Sequence, residues 1–304
     1  MFASLNNYLP NNQQAQTLRG FLSRIGKPVG SGELTHVALR FDAWYINGAS
    51  PISNLGSVLP IAEASLEYNG VVVPVTFNGA RDKTLQPGDF DVVCDEVPAS
   101  AFGVTTIPRG AVIFIKVKYI FPTTTCRMPY GLVRVGSISG GYSAWFDPAV
   151  VTPSSTDALG QWTVTGGSTT GLQSSWTPHL LGRYKSSSAK VWLFVGDSIA
   201  MGTGDTTYTR NSGVGWPAIT CQDMDGGLPV SFGNIAIHGS TSAYFGFGDK
   251  VSSFTKYATH MHVMYGTNDF GTSANGNRTI LQNRLASGIT TGKVCRTIGS
   301  RKPL

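Results

Sequence analysis

The stretch Val191-Trp192-Leu193-Phe194-Val195-Gly196-Asp197-Ser198-Ile199 decides how the second half of this chain is read. An apolar run with β-branched and aromatic residues stops abruptly at Gly-Asp-Ser. Such a short run reads as a buried strand, and its natural place is the middle of a parallel sheet covered on both faces. A serine just beyond the carboxyl end of that strand sits where open α/β sheets bind their ligands. Glycine, aspartate and serine in that order suit a nucleophile presented on a tight turn.

Two later stretches repeat the pattern of an apolar run ending in small or polar residues. Asn234-Ile235-Ala236-Ile237-His238-Gly239-Ser240 ends in a glycine, and His262-Val263-Met264-Tyr265 leads into Gly266-Thr267-Asn268-Asp269. In that order the three blocks resemble those of the SGNH (GDSL-type) hydrolases, over roughly residues 188–285. The resemblance implies a three-layer α/β/α fold and a serine ester hydrolase. It makes Ser198 the nucleophile. The oxyanion donors would be the backbone N–H of Ser198, the backbone N–H of Gly239 and the side-chain amide of Asn268. Losing one donor of this kind costs about 2.7–4 kcal/mol in the barrier. Asp197 and Asp269 read as structural residues that accept backbone N–H groups in tight turns.

The Asp-x-x-His block that supplies the family's base is missing: no aspartate follows Asp269 and no histidine follows His262. His36 and His179 precede the nucleophile, and His260 and His262 fall on or beside a strand. His238 directly precedes Gly239, although the family gives it no role. After Leu285 the helix-like pattern collapses into Ser287-Gly288-Ile289-Thr290-Thr291-Gly292. The hydrolase part is therefore expected to be incomplete, as a truncated, frame-shifted or strongly divergent product.

Charged residues make up only 13% of the 304 residues while glycine numbers 37, a balance that favours strands, turns and loops over long charged helices. Up to residue 187 there are 13 basic and 11 acidic residues, and beyond it 10 and 6, for a net charge of +6. The basic excess near the end has neither a nucleic-acid motif nor interleaved aromatics, so no nucleic-acid partner is expected. Cys94, Cys126, Cys221 and Cys295 lack metal-ligand spacing and read as buried thiols, with a Cys94–Cys126 disulfide left open. No metal or cofactor is called for. The start Met1-Phe2-Ala3-Ser4-Leu5-Asn6 does not read as a signal peptide. No apolar run approaches the roughly 20 residues of a membrane span, so the chain reads as soluble and without a membrane partner.

Residues 1–187 read as an all-β sandwich of jelly-roll type, and 188–304 as the α/β three-layer part. Leu18, Phe21 and Leu22 suggest a short helix around 16–25. Strands are expected over Val37–Ile46, Ala62–Tyr68, Val71–Phe77, Asp91–Cys94, Ala111–Ile120, Gly131–Val135 and Gln161–Val164. Asn69-Gly70 reads as a two-residue hairpin turn. In the second part, strands are expected over Lys190–Val195, Val230–Ile237 and His260–Tyr265. Helices should cover parts of 214–224 and 241–257 and begin at Thr279–Leu285. The Ser-rich junction near Ser187 predicts that residues 1–187 fold alone. The activity expected is that of a carbohydrate O-deacetylase or small-ester esterase, impaired by the missing base. Its partner would be an acylated small molecule or carbohydrate. The alternative is a non-catalytic glycan-binding or structural protein with a degenerate hydrolase part.

Overall fold

A computed structural model describes residues 1–4, 7–8, 12–15, 18–46, 52–130, 141–150, 153–160, 178–203, 215–223, 225–242 and 248–270. The strands expected at Gly131–Val135 and Gln161–Val164, the helix at Thr279–Leu285 and the terminal stretch lie outside the described residues. The chain begins with β1 (Asn7–Tyr8), β2 (Asn12–Ala15), β3 (Gly20–Pro28), β4 (Leu34–Phe41), β5 (Trp44–Ile46) and β6 (Ile52–Asn54). There follow β7 (Leu59–Tyr68), β8 (Val71–Pro74), β9 (Lys83–Leu85), β10 (Val92–Val93) and β11 (Val97–Pro98). Then come β12 (Val112–Ile120), β13 (Arg127–Tyr130), β14 (Tyr142–Phe146) and β15 (His179–Tyr184). The last group is β16 (Trp192–Gly196), α1 (Ser198–Met201), α2 (Gly215–Asp223), β17 (Phe232–Asn234), α3 (Gly248–Ser252), β18 (His260–Met264) and α4 (Thr267–Phe270).

This architecture corrects the expected fold class of a jelly-roll-like sandwich beside a three-layer α/β SGNH domain. Among the described residues strands account for 44% and helices for 13%, and the strands divide among several sheets. With helices so few and short, no α/β three-layer domain is evident among them. The physical reason lies in the helices themselves. α1 and α4 are single turns of four residues, α3 has five and α2 nine. Among the described residues only α2 exceeds two turns, and one such helix does not make a layer over each sheet face.

An antiparallel sheet of six strands runs β14-β3-β12-β7-β8, with β9 also on β7. A second pairs β4 with β10, β11 and β15. The Asn69-Gly70 hairpin forms between β7 and β8, with left-handed φ of 53° and 72° at its two turn residues. The helix expected over 16–25 is instead the long strand β3, paired with β12 along its length. Phe21 points into the main core with Ile115 and Tyr119, while Leu22 packs on the opposite face with Ala144 and Phe146. Burial on both faces hides the alternation that marks a strand. Cys94, Cys126 and Cys221 are buried free thiols, so the disulfide left open is not formed.

A third sheet is parallel throughout, in the order β1-β17-β16-β18. Its central strand is β16, and its outer strand β1 comes from the start of the chain. The adjoining residues 1–4 thread between the two halves. Ala3 N donates to Leu180 O at 2.9 Å, Gly30 N to Ala3 O at 3.0 Å, and Phe232 N to Ser4 O at 3.2 Å. Phe2, fully buried, stacks its ring near Phe254 and lies beside Tyr257 and His179. One hydrophobic cluster extends from Phe21 and Ile115 through Phe2 to Leu193, Val195, Ile237 and Phe254, continuous across position 187. Polar contacts reinforce it: Arg109 Nε donates to Pro229 O at 2.7 Å, and Tyr184 Oη lies 2.6 Å from Ser231 Oγ.

The outer face of the six-stranded sheet is charged but covered. Arg24 on β3 pairs with Glu67 on β7 at 2.5 Å and lies 3.5 Å above the Phe114 ring. Lys116 pairs with Glu67 at 3.4 Å. Residues 155–160 strap across this face: Thr156 N donates to Glu63, Gly160 N to Glu67, and Arg81 to Asp157. Burial pushes the Glu67 carboxyl up, but Arg24, then Lys116 and the Gly160 N–H, outweigh it and leave it below its ordinary value. Glu63 is lowered in the same way by Lys118, Thr156 and Ser155.

Two outcomes are expected. Phe2→Ala should destabilise the whole chain by about 3–5 kcal/mol, the usual range for a buried phenylalanine, read as a lowered urea midpoint in one transition. A depressed carboxylate stabilises above its unfolded pKa and loses that contribution as pH falls through the folded value. The stability gap between wild type and Glu67→Gln should therefore be full at pH 7 and shrink below about pH 5, where carboxylates begin to protonate. A gap that is constant from pH 7 to pH 3 would contradict this assignment.

Candidate functional site

The site is built at the carboxyl edge of the parallel sheet. β16 lies between β17 and β18, with Gly196 opposite Met264 in the register of β18. The chain can turn here only because residue 196 is glycine. A Cβ at that position would stand 2.4 Å from the Met264 carbonyl oxygen. Asp197 N then donates to the same carbonyl at 3.3 Å. Asp197 is fully buried and caps α1, accepting the Ile199 N–H at 3.0 Å. That places Ser198 as the first helical residue, half-buried, with Ile199 exposed beside it.

The second block approaches from β17. Ile237 N donates to Gly196 O at 2.9 Å, and Asn234 Nδ2 to Ala200 O at 2.8 Å. Residues 237–240 close a turn through Ser240 N to Ile237 O at 3.2 Å, and within it Gly239 has a left-handed φ of 73°. This conformation costs glycine little. The third block enters from β18 through α4. Asn268 Nδ2 donates to Ser240 O at 2.9 Å. Asp269, 1% exposed, accepts the Ser242 N–H at 3.0 and 3.1 Å and the Ser242 hydroxyl at 2.7 Å.

The loops that carry Ser198, Gly239 and Asn268 thus meet at one edge of one sheet, joined through Gly196, Ile237 and Ser240. Both aspartates accept backbone N–H groups in tight turns. Sequence marks Ser240 and Ser242 only faintly, as two small hydroxyl residues within three positions of the second-block glycine in a chain rich in serine. Tyr265 completes the surroundings. Burial raises its phenol above the ordinary range, a hydrogen bond with Ser240 opposes this, and the charges of Asp197 and Asp269 add to it.

The histidines are dispersed. His238 is exposed in the Gly239 turn, with Nδ1 3.3 Å from Thr203 Oγ1. His260 lies opposite Trp192 and His262 opposite Phe194, below the carboxyl edge. Burial lowers the His262 pKa and keeps it neutral among Phe194 and Trp216. His36 is on β4 and His179 on β15, within the antiparallel part. Among the described residues, no group of three or more histidine, cysteine, aspartate or glutamate side chains could hold a metal ion. No helix among them is long and apolar enough to cross a membrane.

No family model matches this chain, and no curated protein matches it.

The Asp269 clamp gives a direct expectation. Asp269→Ala leaves the buried Ser242 N–H without its charged acceptor, and hydrogen bonds to charged groups are worth about 1.5–3 kcal/mol. Urea unfolding should show a loss of about that size, with Asp269→Asn costing less because one oxygen remains.

Proposed function

We propose that the carboxyl edge of the parallel sheet is a serine ester hydrolase site of the SGNH type, acting on an acylated small molecule or carbohydrate. One observation carries this reading. The three blocks, far apart in the chain, meet at one sheet edge, with the Asn268 amide bonded to the carbonyl next to Gly239. Ser198 would attack the acyl carbonyl. The N–H groups of Ser198 and Gly239 and the Asn268 amide would receive the negative charge that develops on oxygen. Asn268 can do this while bonded to Ser240, because its NH₂ group has two protons to give.

A serine hydroxyl needs a base to take its proton. His238 is the histidine carried by the Gly239 turn; its Nδ1 lies 3.3 Å from Thr203 Oγ1, which leaves Nε2 as the nitrogen to take a proton. Its exposure, with no hydrogen bond to Ser198 among the described residues, favours the second reading, a non-catalytic glycan-binding or structural protein with a degenerate hydrolase part. An oxyanion hole without its full triad still leaves residual catalysis, about 10³–10⁴-fold over water.

Assay of the full chain with p-nitrophenyl acetate separates the two readings. Slow turnover is expected, well below the common enzyme value of about 10 s⁻¹. It should disappear in Ser198→Ala and fall in His238→Ala if His238 serves as base. Turnover unchanged in Ser198→Ala would remove the hydrolase reading and leave the binding protein.

A further inference from the structure

The hydrogen bonds around the Gly239 turn converge on one residue. Ser240 is 1% exposed. Its hydroxyl lies 3.0 Å from the Gly196 carbonyl oxygen and 2.8 Å from that of Ile237, sharing its proton between them. Its backbone N–H closes the turn on Ile237 O at 3.2 Å. Its carbonyl accepts the Asn268 amide at 2.9 Å. Ser240 therefore touches all three blocks: the residue two before Ser198, the turn holding Gly239, and Asn268 itself.

We infer that Ser240 is a positioning residue that sets the three oxyanion donors in register with one another. This rests on the hydrolase reading above. The argument is geometric. Donors act only when held at the place where the oxyanion will form, and these three belong to different segments: the start of α1, the Gly239 turn and α4. The Ser198 loop and the Gly239 turn are joined through the Ser240 hydroxyl, and the Gly239 turn and α4 through the Ser240 carbonyl. Substituting the side chain removes the hydroxyl from the first join, leaving there the Ile237 N–H on Gly196 O, and does not touch the second. The Asp269–Ser242 contacts hold the far side of the same loop, so the fold does not hang on the Ser240 hydroxyl alone.

Displacement of a reacting group by an ångström can cost about a hundredfold in rate. Ser240→Ala should therefore slow labelling of Ser198 by a fluorophosphonate by about tenfold to a hundredfold. The KM for p-nitrophenyl acetate should stay within about twofold while kcat falls, the pattern of an interaction made mainly in the transition state. Ser240→Thr, which keeps the hydroxyl, should restore labelling toward wild type. Amide exchange at residues 237–240 should accelerate in Ser240→Ala and return in Ser240→Thr. Labelling unchanged in Ser240→Ala would overturn the positioning role while leaving the hydrolase reading in place. So would a loss of labelling explained by a matching fall in melting temperature. Wild-type protein that takes no label at Ser198 would overturn the hydrolase reading, and this inference with it.

Discussion

The guanidinium of Arg40 is buried completely at the junction of the two halves, and the arrangement of both follows from the need to satisfy it. A charge removed from water must be paired and hydrogen-bonded. Asp42, two residues along, accepts from Nε and Nη2 at 3.0 and 2.8 Å, and Asp91 lies 3.3 Å from Nη1. The second half contributes the Ser253 hydroxyl at 2.8 Å and the Phe254 ring, 3.6 Å below the guanidinium carbon. Tyr257 donates to Asp91 at 2.6 Å. His179 lies beside this group and stays neutral, because burial first, and then the charges of Arg40 and Lys27, depress its pKa well below the ordinary value. Buried ion pairs of this kind add little net stability, but breaking one by removing a partner is costly. A shift of one half against the other would strand Arg40, so the pair selects one relative placement.

That placement reaches the candidate site through the chain between Phe254 and β18. Tyr257 O accepts the Phe2 N–H, and Thr259 and His260 donate to Val191 O as β18 begins. The strand then runs in register with β16 up to Met264, whose carbonyl receives Asp197 N. The turn that presents Ser198 is thus the far end of a ladder whose near end is anchored by the Arg40 group.

Much of the local structure was legible. Asn69-Gly70 announced its hairpin because two left-handed residues in succession are acceptable to few other dipeptides. Three strands of the parallel sheet were legible from apolar runs ending in small or polar residues, although β17 is only Phe232–Asn234 and not the whole run 230–237. The covering layers were not, since alternating strand-like and helix-like stretches say nothing of helix length. At β3 the helical spacing of Leu18, Phe21 and Leu22 concealed a strand buried on both faces. Nothing about Asn7-Tyr8, short and polar, shows that it will become the outer strand of a sheet assembled from the other end of the chain. The link between Asn268 and Ser240 was also beyond reach, because it depends on two loops meeting in space.

The pairing of β1 with β17 has a consequence for the order in which the molecule can form. β1, which edges the parallel sheet, is made long before the strands it joins. Ser31 Oγ, for example, receives the N–H of Ser231, 200 residues away. Contacts of such long range repay their loop-closure entropy only late, which slows folding. On the ribosome residues 1–4 can pair with Gly30 and Leu180 of the antiparallel part, but the Phe2 ring waits for Phe254 and Tyr257, and β1 for β17. Until those emerge, that apolar ring is open to capture by chaperones or by other chains. Closing the parallel sheet around it is the step that commits the molecule to its final form.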